Sequence, residues 1–392
     1  MKNPRKYVYT TAAASMFVYS AAANLLPLCL VTLTRELSFS LTQAGVLGFV
    51  TTVEQFFVLI FSSYLAAHFG KIRLLRSGLF ILAAGLVLFT LSRSFPSAVG
   101  LILLMGLGSG FLEALLTPLV EDLYPKDNGS KMNLLHSFWS IGLFCSVLIF
   151  GELLTMGLSW RVLFYSLATG VLAVGFTYPP ARKVPLPPSR KDIGHIKEIV
   201  SLPGFWLVGF SLFFAGGAEG AFAFWSAGFI QLHFETLPRA GALGLSCFAA
   251  GMFLGRLLSS RIAGFLGLRN LVRISAGLGI LVSLSFFLIN SLPALYLFLV
   301  VMGLLIACFW PSIQSFGARI LDVDPTMLMV FLSCFGVPGY SSATLLMGII
   351  GDRAGLQTSF IIAPVYLLMV VLLMSSTFLS LKGEVKSKKR SH

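Results

Sequence analysis

The sequence predicts an all-α integral membrane protein of twelve transmembrane helices, arranged as two six-helix pseudo-repeats. Three observations carry this reading. Of 392 residues, 57% are hydrophobic and only 11% charged, with a mean hydropathy of +0.90, whereas soluble domains carry about a quarter charged residues. Apolar runs of about twenty residues recur from end to end, enough to cross a bilayer as helices, and they lack the alternation of barrel strands. The stretch "SSYLAAHFGKIRLLR" (62–76) also aligns without gaps to "SSRIAGFLGLRNLVR" (259–273) at an offset of 197, with Ser62, Ser63, Ala66, Gly70, Leu74 and Arg76 matched by identical residues.

The first span, 8–33, follows the basic opening "MKNPRK". With its Ala-x-Ala before Asn24 it has the outline of a signal peptide, but the apolar run continues to Val31, so it is expected to remain as a helix. The next five spans are 41–67, 72–92, 97–122, 132–157 and 160–179. A stretch rich in proline and basic residues follows, and it divides the chain into an N-terminal half (1–180), a linker (181–203) and a C-terminal half with a basic tail (204–392). The second half holds spans 204–231, 239–265, 269–290, 293–320, 325–350 and 355–381.

The formal net charge of +13 reflects topology rather than nucleic-acid binding. With the N-terminus placed in the cytoplasm, five of the 28 Lys and Arg fall on the far side: Arg35, Arg93, Arg161, Arg239 and Arg353. Arg256 lies inside the eighth span, and the remaining 22 face the cytoplasm. The positive-inside rule therefore expects a multi-pass protein of the cytoplasmic (inner) membrane with both termini inside. The five cysteines all lie in apolar runs without metal or disulfide spacing. No phosphate-binding loop, enzyme signature or metal motif is present, so no cofactor and no catalytic activity are expected, and any pumping must draw on an ion gradient.

These residues resemble the major facilitator superfamily, whose cytoplasmic signature between spans two and three is similar to Gly70, Lys71 and Arg73, with Ala67 where an aspartate usually stands. A closer resemblance is to the branch of the fucose:proton symporter and the sodium-coupled glucose carriers. It rests on "GLGSGFLEALLTP" in the fourth span, "MNLLHSFWSIG" opening the fifth, "FAGGAEGAFAFWSAGFI" in the seventh and "MGIIGDRAG" ending the eleventh. The resemblance implies alternating access to a midplane site between two halves, Glu113 as proton-coupling carboxylate, and a gating role for Gly70, Lys71 and Arg73. Asn24 matches the branch's asparagine in the first span, but Pro27 replaces its aspartate, so a two-carboxylate scheme cannot be carried over.

An ionised carboxylate at the middle of a span costs about 2.5–3.5 kcal/mol, so Glu54, Glu113 and Glu219 together would cost on the order of 8–10 kcal/mol if they faced lipid. They must pair, face a cavity or hold a proton. Glu113 and Glu219 are the candidate coupling acids, and Glu54 has no counterpart in the branch. Candidate substrate ligands are Asn24, Asn133, His136, Trp139, Glu219, Trp225, Trp310 and Gln314. Aromatic faces stack on sugar C–H surfaces, while amide, imidazole and carboxylate groups take hydroxyls. Pro311 should break the tenth span beside Trp310. Arg256 is assigned to snorkelling or to a helix-end carbonyl, and Trp160 and Trp206, near span ends, to the interfacial belt.

The sequence therefore points to a monomeric secondary transporter of a sugar-like solute, coupled to a proton or to sodium, with the lipid bilayer as its other partner. The competing readings are an antiporter exporting an amphipathic metabolite or drug, and a carrier-derived sensor that binds without transporting.

Overall fold

The computed structural model describes residues 4–124, 130–180, 184, 199–321 and 325–376. Nearly all of the interhalf linker expected from the sequence, and the basic tail, fall outside these residues. The described residues form twelve apolar helices of membrane-spanning length. The first six are α1 (Pro4–Glu36), α2 (Leu41–Phe69), α3 (Lys71–Phe89), α4 (Phe95–Leu123), α5 (Ser130–Thr155) and α6 (Trp160–Thr177). The second six are α7 (Pro203–His233), α8 (Pro238–Leu266), α9 (Leu268–Ser285), α10 (Leu292–Leu321), α11 (Pro325–Ala354) and α12 (Leu356–Ser375). The twelve spans read from the sequence correspond to them one for one.

The repeat is written into the backbone. Among the described residues the glycines at positive φ are Gly70 (83°), Gly157 (88°), Gly267 (73°) and Gly355 (87°). Gly70 and Gly267 stand 197 residues apart, joining the second helix of each half to the third. Gly157 and Gly355 repeat the pattern before the sixth helix at nearly the same offset. A side chain would strain these reversals. Helix pairing repeats too: α1 packs on α5, α2 on α4 and α3 on α6, and α7 packs on α11, α8 on α10 and α9 on α12.

The chain clusters into two compact units, Met1–Lys191 with Ser226–Ser246, and Asp192–Trp225 with Cys247–His392. The first unit thus takes in the end of α7 and the start of α8. There Gly228 lies against Leu30, Ala242 presses on Gly151, and the Arg239 amide donates to Thr155 Oγ1 at 2.9 Å.

Within the first unit α4 carries its glycines on two faces. Gly106 and Gly110 meet Thr51, Glu54 and Val58 of α2, while Gly108 meets Gly78 and Leu82 of α3. Small residues let backbones approach where lipid tails supply no hydrophobic force between helices. In the second unit α10 breaks at residues 307–308 into Leu292–Ile306 and Phe309–Leu321. Pro311 has no N–H to return to the Ala307 carbonyl, so the ladder opens there and Trp310 falls in the first turn of the second segment.

Trp160 departs from the interfacial role expected of it. It is fully buried, packs against Phe89 and Phe164, and its Nε1 donates to Glu36 Oε2 at 2.7 Å. Arg161 pairs with the other oxygen of Glu36 and donates to the Thr90 carbonyl. Ser159 caps α6, which turns Trp160 inward at the helix start. Trp206, by contrast, is 45% exposed, as the belt reading requires.

Candidate functional site

In the first unit the polar groups gather on Glu113. The Tyr19 hydroxyl of α1 lies beside the Glu113 carboxylate of α4, and the Gln55 amide of α2 lies beside Tyr19. Three helices therefore bring neutral polar groups to one acid. The Tyr19 ring also meets Trp139 of α5 edge-on, with centroids 4.9 Å apart, and Ser20 Oγ donates to the Trp139 carbonyl at 2.7 Å, locking α1 to α5 at this level. One turn along α4, Thr117 lies 3.4 Å from His136 Nε2, and the His136 side chain is exposed. Glu113, Trp139 and His136, singled out by sequence, are thus on neighbouring turns of α4 and α5. Tyr19 and Gln55 were missed. Their one signal in the sequence is polarity within an apolar span, and Glu54 beside Gln55 is the stronger such signal.

Glu54 itself turns elsewhere. It lies against Gly106, with Oε2 buried and without a hydrogen-bond partner. That places it in the α2–α4 interface, away from the Tyr19–Glu113 contact.

In the second unit the acid is Glu219, at mid-length of α7. Gly216 and Gly220 on the same helix let α11 approach at Gly336 and Tyr340. Trp310 of α10 lies beside the Glu219 carboxylate, and its ring rests against Gly336. Arg256 of α8 acts on Glu219 through its charge. The other carboxylate oxygen of Glu219, Oε2, is buried and without a hydrogen-bond partner. The tenth-span break thus delivers its tryptophan to the acid.

The Major Facilitator Superfamily profile matches residues 11–339. The chain belongs to the major facilitator superfamily. It is 25% identical over 370 residues to the "Membrane protein MosC" of Rhizobium meliloti, covering 92% of this chain and 88% of that protein. Among solved structures it is similar to a bacterial homologue of the human lysosomal transporter Spinster in an inward-facing, unoccupied conformation, with a TM-score of 0.77 and 15% identity over 97% of this chain and 98% of the other. It is also similar to the E. coli fucose:proton symporter FucP, with a TM-score of 0.66 and 17% identity over 95% and 98% of the two chains. At these identities the two structures show the fold alone, which is that of the superfamily.

The superfamily's turn between second and third helices takes an individual form here. Gly70 makes the reversal, and Lys71 reaches across to Asp122 at the end of α4 (2.6 Å) and to the Pro118 carbonyl (3.4 Å), while Arg73 is exposed. With Ala67 in the usual place of the acid, the carboxylate comes from α4.

Other expected ligands make contacts of their own. Asn24 is buried, and its amide donates to the Ser20 carbonyl of its own helix at 2.8 Å. Trp225 is fully buried, with its N–H committed to the Thr344 carbonyl at 3.1 Å, so it offers no polar edge to a solute and is a packing residue of the second unit. Gln314 donates to Ser333 Oγ of α11 at 3.2 Å. The side chain of Asn133 lies outside the described residues.

Proposed function

We propose that this protein is a secondary active transporter that carries a small polar, sugar-like solute by alternating access, coupled to protons, in the cytoplasmic membrane with both termini inside. One observation carries the proposal. Glu113 sits at mid-span beside Tyr19, which in turn neighbours Gln55, and no cation pairs with it among the described residues. A carboxyl in an apolar span must be neutralised or paired. One that is held by neutral donors, with no fixed cation to displace, is suited to gaining and losing a proton once per cycle.

The curated relative is a membrane protein, and one fold neighbour is a fucose:proton symporter, which supports a sugar-sized solute and proton coupling. The distribution of lysine and arginine supports the orientation. Trp139 and His136 stand as solute contacts in the first unit, Glu219 and Trp310 in the second.

The test is transport by the purified protein in vesicles. Glu113→Gln should abolish accumulation driven by an imposed pH gradient while retaining exchange of labelled solute, because a neutral side chain can bind and reorient but has no proton to release. Accumulation at the wild-type level in Glu113→Gln, or accumulation that follows a sodium gradient and ignores pH, overturns the coupling assignment. Uptake only from the opposite face would make the protein an exporter.

A further inference from the structure

Between Thr236 and Leu321 the chain carries arginines but no aspartate and no glutamate. Two of these arginines, Arg269 and Arg273, stand about one turn apart at the start of α9 and do different things. Arg269 Nε donates to the Met374 carbonyl at 2.6 Å, and its Nη2 donates to the Ser376 carbonyl at 2.8 Å. These carbonyls belong to the end of α12, where the helix has no amides of its own left to offer. The start of α9 is thereby fastened to the end of α12. Arg273 is exposed instead. Its Nη1 lies 3.5 Å from Asn270 Oδ1, at the outer limit of a hydrogen bond. No carboxylate pairs with it among the described residues.

At these fastened ends lies an open cavity of about 350 Å³, lined by Leu266, Asn270, Arg273, Ile274 and Val371. Its polar side is an amide and a guanidinium, and its other walls are aliphatic. The aliphatic walls run on along both helices. Ile274, Leu278 and Leu281 are exposed in succession on α9, and Val365, Leu368 and Leu372 on α12 beside Val371. Spacings of three and four residues put each set on one face of its helix. The two helices pack together, so a cationic cavity opens at the head of two neighbouring apolar stripes. In a membrane span an exposed aliphatic stripe meets lipid chains.

We infer that this cavity holds the headgroup of an anionic phospholipid, with its phosphate on Arg273 and Asn270 and its acyl chains along the stripes of α9 and α12. A phosphate matches the guanidinium fork, and the Asn270 amide adds two donors. The surroundings have the complementary charge. Besides the acid-free stretch that holds α9, the sequence after α12 carries Lys382, Lys386, Lys388, Lys389 and Arg390 against a single acid, Glu384. Basic clusters beside a span are drawn to anionic lipid, and basic pockets between spans hold its headgroups. A soluble phosphate ester would use the arginine but gain nothing from Leu266, Ile274 and Val371. The orientation proposed above makes this the cytoplasmic leaflet, while the site itself does not depend on what the protein carries.

The experiment is native mass spectrometry of the full-length protein in detergent, given equal amounts of phosphatidylglycerol and phosphatidylcholine with the same acyl chains. The wild type should retain phosphatidylglycerol over phosphatidylcholine by about fivefold or more, the ratio expected of one basic residue at an anionic surface. Arg273→Gln should lose most of that preference. Arg273→Lys should keep part of it, since an ammonium supplies the charge without the fork. Asn270→Asp, which sets a negative charge against the phosphate, should lower it about as far as Arg273→Gln. Arg93→Gln, which removes an exposed arginine of the first unit, should leave it unchanged.

Equal retention of the two lipids by the wild type overturns the inference, and so does a preference that persists in both Arg273→Gln and Asn270→Asp. Should Arg273→Gln fail to fold, Asn270→Asp decides alone, and an unchanged preference there overturns the inference. Thermal unfolding separates a lipid from a soluble phosphate. Phosphatidylglycerol should raise the unfolding midpoint of the wild type more than that of Arg273→Gln, as a ligand of the folded state does, while glycerol phosphate at the same concentration should leave it in place. Equal stabilisation by glycerol phosphate overturns the lipid assignment. None of these measurements reads transport, so their outcome and that of the carrier tests are independent.

Discussion

In the first unit the acid stands on the fourth helix of the half and its aromatic neighbour on the first: Glu113 on α4 and Tyr19 on α1. In the second unit the acid stands on the first helix and the aromatic neighbour on the fourth: Glu219 on α7 and Trp310 on α10. The repeat offset of 197 carries Glu113 onto Trp310, and Tyr19 to within one turn of Glu219. The second helix of each half completes the group, with neutral Gln55 in one case and cationic Arg256 in the other. Two copies of one helical scaffold thus hold similar parts in exchanged positions, and one copy has acquired a charge. On the proposed reading, a carboxyl among neutral groups can trade a proton, and the second unit, with a fixed cation in its group, differs in that respect.

The largest effect should come from erasing that difference. Gln55→Arg places a permanent cation beside Tyr19 and Glu113, and it should abolish pH-driven accumulation as fully as Glu113→Gln, measured as solute retained by vesicles under an imposed gradient. Retained accumulation would mean that the neutrality of the first group is incidental.

Next in size are the tryptophans. Trp225→Ala should cost about 3–5 kcal/mol of stability, as removal of a fully buried tryptophan does, with solute affinity in the folded fraction unchanged. Trp139→Ala, which strips the ring from Tyr19, should lower affinity by about tenfold with a smaller loss of stability. Thermal unfolding and binding on the same preparations separate the two, and the reverse pattern would return Trp225 to the solute site.

Removing a single donor should do less. Tyr19→Phe should move the pH of half-maximal uptake with little change in solute affinity, while Trp310→Phe should lower affinity several-fold and leave the pH profile in place. Initial rates across external pH, corrected for expression, read both. The smallest effect concerns the ends of the halves. Lys71 pairs with Asp122 in the first, whereas the same offset places Leu268 and Arg319 in the second. Asp122→Asn should therefore cost about 1 kcal/mol, within reach of a partly exposed pair. A loss of transport far beyond that stability change would show that the pair gates the cycle.

Sequence alone determined a good deal here. Twelve helices, their ends to within a few residues, the half repeat and the break at Pro311 all follow from local causes: apolar length against bilayer thickness, glycine at reversals, and a missing proline N–H. Those causes act within a few residues of their own position, so they are legible in a string. The importance of Glu113 and Glu219 was legible for the same reason, since a charge in an apolar run is costly wherever the helix packs.

What each acid touches was decided by tertiary structure alone. Gln55 and not Glu54 joins Glu113, because a rotation of about 100° between consecutive residues puts one side chain toward Tyr19 and the other against Gly106. Trp160 and Trp225 look in sequence like an interfacial and a solute-facing ring, yet both are buried, because Glu36 and the Thr344 carbonyl lie where their N–H groups point. Arg256 reads in sequence as a snorkelling base, and the structure packs its stretch of α8, through Gly251 and Gly255, against the backbone of α10. Which face of a span meets a neighbour depends on helices tens to more than a hundred residues away, and an apolar helix that is hydrophobic all round carries almost no amphipathic signal to announce it.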